Sequence, residues 1–169
     1  MSHRGMLYRR QWASGRLGYT LIELMLVMSV VMIISMIAVP QYMDAVSKAR
    51  IAKAIGDIAV IGREIQLFFV EEARYPDGLA DVGFGQYTDP YGNPYEYLNI
   101  GDQDLGGLGL VPKIGMMRVD RFQIPINSDF DLYSRGEDGA TLPLLIALES
   151  LDDIVRAADG GYIGLASEY

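Results

Sequence analysis

The sequence has no cysteine, one tryptophan and one histidine in 169 residues. Without cysteine there is neither a disulfide framework nor a thiolate metal site. The one histidine, His3, stands among the first residues. The body of the chain therefore holds no Ser–His or Cys–His nucleophile pair and no histidine-based zinc site. There is no Walker A loop and no Gly-x-Gly-x-x-Gly following a strand, and the plentiful carboxylates mark no evident cleft. Basic residues are scarce as well, 14 Lys and Arg against 22 Asp and Glu, for a net charge of −8. Four of them, Arg4, Arg9, Arg10 and Arg16, fall in the first 18 residues with no acid, which leaves −12 on the rest. That balance argues against nucleic-acid binding, which needs clustered cations. The length suits one modest domain with its own core.

What is present is concentrated at the front. From Leu24 to Val39 there is no charge, and Leu, Met, Val and Ile dominate. A helix needs about 20 apolar residues to span a bilayer, which Leu21–Val39 nearly supplies. The arginines before it should stay in the cytoplasm by the positive-inside rule, so the rest of the chain should face outward. An ordinary secretory signal would be shorter and would end at small residues, whereas Pro40-Gln41-Tyr42-Met43 follows here. A plain signal anchor explains the arginines and the apolar run but not Glu23. A carboxylate in an apolar membrane segment is costly and asks for a cationic partner.

Gly18-Tyr19-Thr20-Leu21-Ile22-Glu23-Leu24-Met25 resembles the class III prepilin signal of the type IV pilin and pseudopilin superfamily. The resemblance implies cleavage between Gly18 and Tyr19 by a prepilin peptidase, then N-methylation of Tyr19. That position is most often Phe in the family, and Tyr19 keeps the aromatic ring. Glu23 then lies five residues into the mature chain, where the family carries its glutamate. The implied role is to pair with the α-ammonium of a neighbouring subunit in an apolar filament core, which relieves two buried charges and fixes register. Pro40 also matches the family; it removes a backbone donor and loosens the helix locally. The partners implied are further copies of the chain, related minor pseudopilins, the peptidase and an inner-membrane assembly platform, with no nucleic acid.

Beyond Pro40, apolar residues recur at Ile51, Ile55, Ile58, Ile65 and Phe69, widened by Ala54, Ile61 and Phe68. Steps of three and four predict a helix with one buried face. Both halves together make one helix of about 54 residues, ~80 Å long. Gly56 and Gly62 weaken it by about 1 kcal/mol each relative to alanine. Tyr75-Pro76-Asp77-Gly78 ends the pattern. Thr88–Pro94 is a turn, Tyr95–Leu98 a strand, and a glycine-rich loop runs from Gly101 to about Gly115. Arg121–Ile126 and Asp129–Ser134 read as two more strands joined at Asn127-Ser128. The expected fold is α+β: a long N-terminal helix packed on a small antiparallel sheet, pilin-like. Its parts are a basic leader (1–18), an apolar membrane or filament-core helix (19–40), an amphipathic helix (41–74) and a β-rich domain (75–169).

Asp89-Pro90-Tyr91-Gly92-Asn93-Pro94-Tyr95 and Asp131–Gly139, with its Tyr-Ser-Arg-Gly-Glu-Asp-Gly run, resemble the major pseudopilin of type II secretion systems. That likeness implies a periplasmic pseudopilus subunit, anchored in the bacterial inner membrane before assembly. Type IV pilins proper usually close their C-terminal loop with a disulfide, which this chain cannot do. The family loop is held by one Ca²⁺. By position the resemblance implies Asp138, the backbone carbonyl of Arg135 and one of Asp152 and Asp153 as ligands. Calcium takes six to eight oxygens, several from carboxylates, so this set is suitable but incomplete. The intervening Ala140–Leu151 is longer and more apolar than the family loop and could form a short helix. The other reading makes Asp138 a turn residue and Asp152 and Asp153 helix-flanking acids.

Overall fold

The computed structural model describes residues 18–101 and 115–169. Arg4, Arg9, Arg10 and Arg16 lie outside the described residues, as does the glycine-rich loop between Gly101 and Gly115. The elements run in the order α1 (Leu21–Glu72), β1 (Glu96–Asn99), β2 (Phe130–Ser134), β3 (Ile154–Ala157) and β4 (Tyr162–Leu165), with single 3₁₀ turns at Leu148–Ser150, Ala158–Gly160 and Ala166–Glu168. The chain forms two units, one ending at Met43 and one running from Asp44 to Tyr169, and α1 contributes to both.

In the first unit every described residue is exposed. This helix segment is predominantly apolar and no described residue covers it, which is what a membrane or a filament core requires. Pro40 lies inside α1. It has no backbone donor to give, yet helix continues on both sides of it, so Pro40 does not end the element.

In the second unit α1 buries one stripe. Ala54, Ile58, Ile61 and Ile65 are wholly inaccessible and pack with Leu79, Tyr95, Phe130, Leu132 and Ile154. Ile51 and Ile55 are partly buried against the same cluster. Each isoleucine sealed in this way contributes roughly 1.5–3 kcal/mol by the apolar surface it removes from water. Phe69 lies at the margin, its ring stacked on Tyr75 at 4.4 Å between centroids. The helix stops at Glu72, two residues short of the expected end, because Ala73 takes a positive φ of 54°. Gly62 is buried where the side chain of Arg156 crosses the helix, 3.9 Å from where a Cβ would sit, while Gly56 faces open space. Close packing is thus the role of the first, and no packing role attaches to the second.

The sheet is four-stranded and antiparallel throughout, with neighbours in chain order. Tyr97 of β1 faces Leu132, and Tyr133 of β2 faces Val155. Period-2 alternation divides its residues. Phe130, Leu132 and Ile154 join the helix-side core, while Val155 and Ala157 join a second cluster with Ile126, Leu145 and Ala166. Arg156 lies on the helix side, its guanidinium over the Phe130 ring at 3.9 Å and doubly bonded to Asp129 at 2.8 and 2.6 Å. Tyr95 and Tyr87 both donate to the Asp57 carboxylate of α1, at 3.0 and 3.3 Å. Burial, with that carboxylate beside it, pushes the Tyr95 phenol well above its ordinary value.

Two expectations about the sheet need correcting. Arg121–Ile126 is not a strand but a run of bends, with the Asp120 N–H donating to the Gln123 carbonyl at 3.0 Å. Pro125 cannot donate to a ladder, and Phe122 and Ile124 are exposed, so only Ile126 at the end of the segment turns inward, into the second cluster. Asn127 is likewise no hairpin tip. It is buried, and its amide donates to Asp131 at 2.8 Å and to the Arg156 carbonyl at 2.9 Å. The sheet is completed instead by two strands not expected, β3 and β4, joined across Ala158-Asp159-Gly160, all three at positive φ. Between Ala140 and Leu151 the only helical residues are the single turn Leu148–Ser150.

Candidate functional site

The apolar helix opens with a reciprocal cap. Thr20 donates to the Glu23 carboxylate from both its backbone N–H and its hydroxyl, each at 3.0 Å, and the Glu23 N–H donates back to Thr20 Oγ1 at 3.3 Å. This is a capping box, which satisfies amides that the first helical turn leaves open. It also holds the carboxylate at the positive end of the helix dipole. Gly18 and Tyr19 precede it and are exposed, with nothing within 4 Å of a Cβ built at Gly18. Thr20 was not singled out from the sequence, although Thr-x-x-Glu before an apolar run is a readable capping signal. The segment thus presents an accessible Gly18-Tyr19 bond, a carboxylate fixed four residues beyond it, and an uncovered apolar helix.

The second candidate region joins two loops that are distant in sequence. Asp89 is buried and accepts from the N–H groups of Tyr91 at 2.9 Å and Asn93 at 2.8 Å, and from the Ser134 hydroxyl at 2.5 Å. The Asn93 amide in turn donates to the Gly136 carbonyl at 3.1 Å. Asp89–Tyr95 and Asp131–Gly139 are therefore one structural unit, in which each stretch supplies the other's missing partners. The Arg135 side chain pairs with Glu96.

The three acids implied as calcium ligands each hold a protein partner through one oxygen. One Asp152 oxygen accepts from the N–H groups of Glu137 at 2.7 Å and Asp138 at 3.0 Å. Asp138 accepts from its own loop, at Ala140 N–H, 2.8 Å away. Asp153 is fully buried, paired with the guanidinium of Arg118 and accepting from the Thr141 hydroxyl at 2.6 Å. Burial pushes the Asp153 carboxyl above its ordinary range, against the pull of Thr141 and Arg118. Among the described residues no three acidic side chains converge. The donor set does not fit a calcium ion in this arrangement, since calcium asks for several carboxylates on one centre.

Comparison with known proteins gives one lineage. A fimbrial protein of Pseudomonas aeruginosa is 30% identical over 108 residues, spanning 58% of this chain and 68% of that protein. The type II secretion system core protein G of Pseudomonas aeruginosa is 27% identical over 143 residues, or 72% of this chain and 84% of the relative. Its Vibrio cholerae counterpart is 26% identical over 140 residues, covering 63% and 94%. No family model matches the chain, and no solved structure does. A capped apolar helix, an antiparallel sheet packed on its amphipathic continuation, and these relatives together mean that the chain belongs to the type IV pilin and pseudopilin superfamily, with a likeness to the G-type core proteins of type II secretion.

Proposed function

We propose that this chain is a structural subunit of a periplasmic pseudopilus that drives protein export by type II secretion. The observation that carries this reading is the reach of the likeness. The core G proteins align over 84–94% of their own length, whereas the fimbrial proteins align over 68% or less. The subunit is made as a membrane-inserted precursor, cut after Gly18 by a prepilin peptidase and N-methylated at Tyr19. Before assembly, Glu23 is held by Thr20. On entry into the filament its carboxylate meets the α-ammonium of a neighbouring Tyr19, and the apolar helices seal that pair from water. The uninterrupted but donor-poor helix at Pro40 lets the segment lengthen as it leaves the bilayer. The chain itself catalyses nothing; the energy comes from a cytoplasmic ATPase of the machine.

A surface type IV pilus subunit, serving adhesion, motility or DNA uptake, is the second reading, and the 30% identity to fimbrial proteins favours it. Deleting the gene separates the two. Loss of exoproteins from the medium with surface filaments intact supports the pseudopilus, and the reverse pattern refutes it. Mass spectrometry of the assembled subunit should find methylated Tyr19 at the N-terminus, and an intact leader sinks both readings. Glu23→Ala should insert in the membrane normally and fail to polymerise.

A further inference from the structure

Arg118 is among the most deeply buried side chains of the protein, at 2% accessible, and it is cationic. One of its terminal nitrogens pairs with Asp153, and the other donates to the Thr141 hydroxyl at 2.5 Å and the Leu142 carbonyl at 2.6 Å. Its guanidinium plane lies over the Tyr133 ring at 4.2 Å, and its backbone N–H donates to Asp131 at 2.7 Å. A single side chain therefore ties the loop at 141–142, the β3 entrance at Asp153 and the β2 ring of Tyr133 to the segment around residue 118. A divalent cation would do similar work: concentrate positive charge beside the acidic pair and draw loop oxygens to one point. Here the oxygens are drawn to nitrogen instead. The second oxygen of Asp153 is buried without a hydrogen-bond partner, and a dication approaching it would meet the guanidinium at close range in a poorly screened interior. Asp152, the other acid of the pair, turns one oxygen to the Glu137 and Asp138 amides.

We infer that Arg118 is the fixed, internal cation that closes the C-terminal loop of this chain, so that the folded domain needs no calcium. Arginine suits the post, because it stays charged and its planar fork presents several donors at once. The acids carried over from the calcium-binding pattern are retained, with a protein group serving them in place of the metal. The inference rests on the geometry of this domain and stands whether the filament is a pseudopilus or a pilus.

The test uses the full chain in detergent micelles. Melting curves in chelator and in millimolar calcium chloride should superimpose, and calorimetric titration with calcium should give no saturable heat. Arg118→Met strands the Asp153 carboxylate and should lower Tm by more than about 10 °C in both conditions. Because that variant risks not folding, Arg118→Met combined with Asp153→Asn should recover part of the loss, whereas Asp153→Asn alone should not exceed wild type. A wild-type Tm that rises in calcium, or an Arg118→Met variant as stable as wild type, overturns the inference.

Discussion

The Ser134 hydroxyl donates to the Asp89 carboxylate at 2.5 Å across 45 positions of sequence. With the Tyr91 and Asn93 amides on its other oxygen, Asp89 fastens the turn before β1 to the end of β2. Asp89→Ala leaves these donors unpaired in the interior, and each such loss costs about 1–3 kcal/mol. Chemical denaturation of the full chain in detergent should show a loss of about 3 kcal/mol or more. Ser134→Ala should cost less, since the two amides keep their acceptor.

The helix-side core predicts a sharp contrast along one turn of α1. Ile58 and Ile61 are wholly buried, while Val60 between them is 53% exposed. Ile58→Ala or Ile61→Ala should destabilise by about 2–5 kcal/mol through lost burial and a residual cavity. Val60→Ala should leave the unfolding midpoint almost unchanged in the same assay.

Gly136 cannot be replaced without moving the loop. It takes a φ of +65°, and a Cβ there would lie 2.5 Å from the Asp152 carboxylate. Gly136→Ala should therefore cost more than the roughly 1 kcal/mol of a left-handed alanine alone. Proteolysis between residues 136 and 153 should become faster, which distinguishes local loop opening from global unfolding.

Asp131 gives the domain a pH dependence with a definite sign. Burial raises its carboxyl, against the pull of the Arg118 N–H and the Asn127 amide. A raised folded-state value means that the native state binds the proton more tightly than the unfolded chain. Its contribution is thus complete below about pH 3.9, the unfolded value, and is lost as pH rises through the folded value. Asp131→Asn should remove that slope, so the stability of wild type minus that of the variant should be greatest near pH 4 and fall toward neutrality. A wild type that gains on the variant as pH rises would contradict the assignment.

Much of this architecture was legible in the residues. The 3–4 spacing of Ile51, Ile55 and Ile58 found the buried face of α1, and Tyr95–Leu98 and Asp129–Ser134 found β1 and β2 to within a residue at each end. The errors share a cause. Arg121–Ile126 carries strand-forming residue types, but Pro125 and the exposed Phe122 and Ile124 keep it out of the sheet, and only tertiary context decides that. By contrast, β3 and β4 could have been found: Ile154-Val155-Arg156-Ala157 and Tyr162-Ile163-Gly164-Leu165 flank an Asp-Gly turn. The acids around Asp152 were placed in the right loop, but their partners could not be read. Arg118 lies 35 positions from Asp153, and no local spacing links a lone arginine to a carboxylate so far away.

The order of the sheet matters once many copies stand side by side. Because its strands follow one another in sequence, β1 and β4 are its two margins, and each is only four residues long. A margin is where a foreign strand can add, and shortness and charge are the usual protections. β1 begins with Glu96 paired to Arg135, and a 3₁₀ turn follows β4 at once. Identical domains crowded along a filament thus offer one another little template for backbone pairing. In the proposed filament, cohesion would then be left to the apolar helices, with neighbouring domains separable on disassembly.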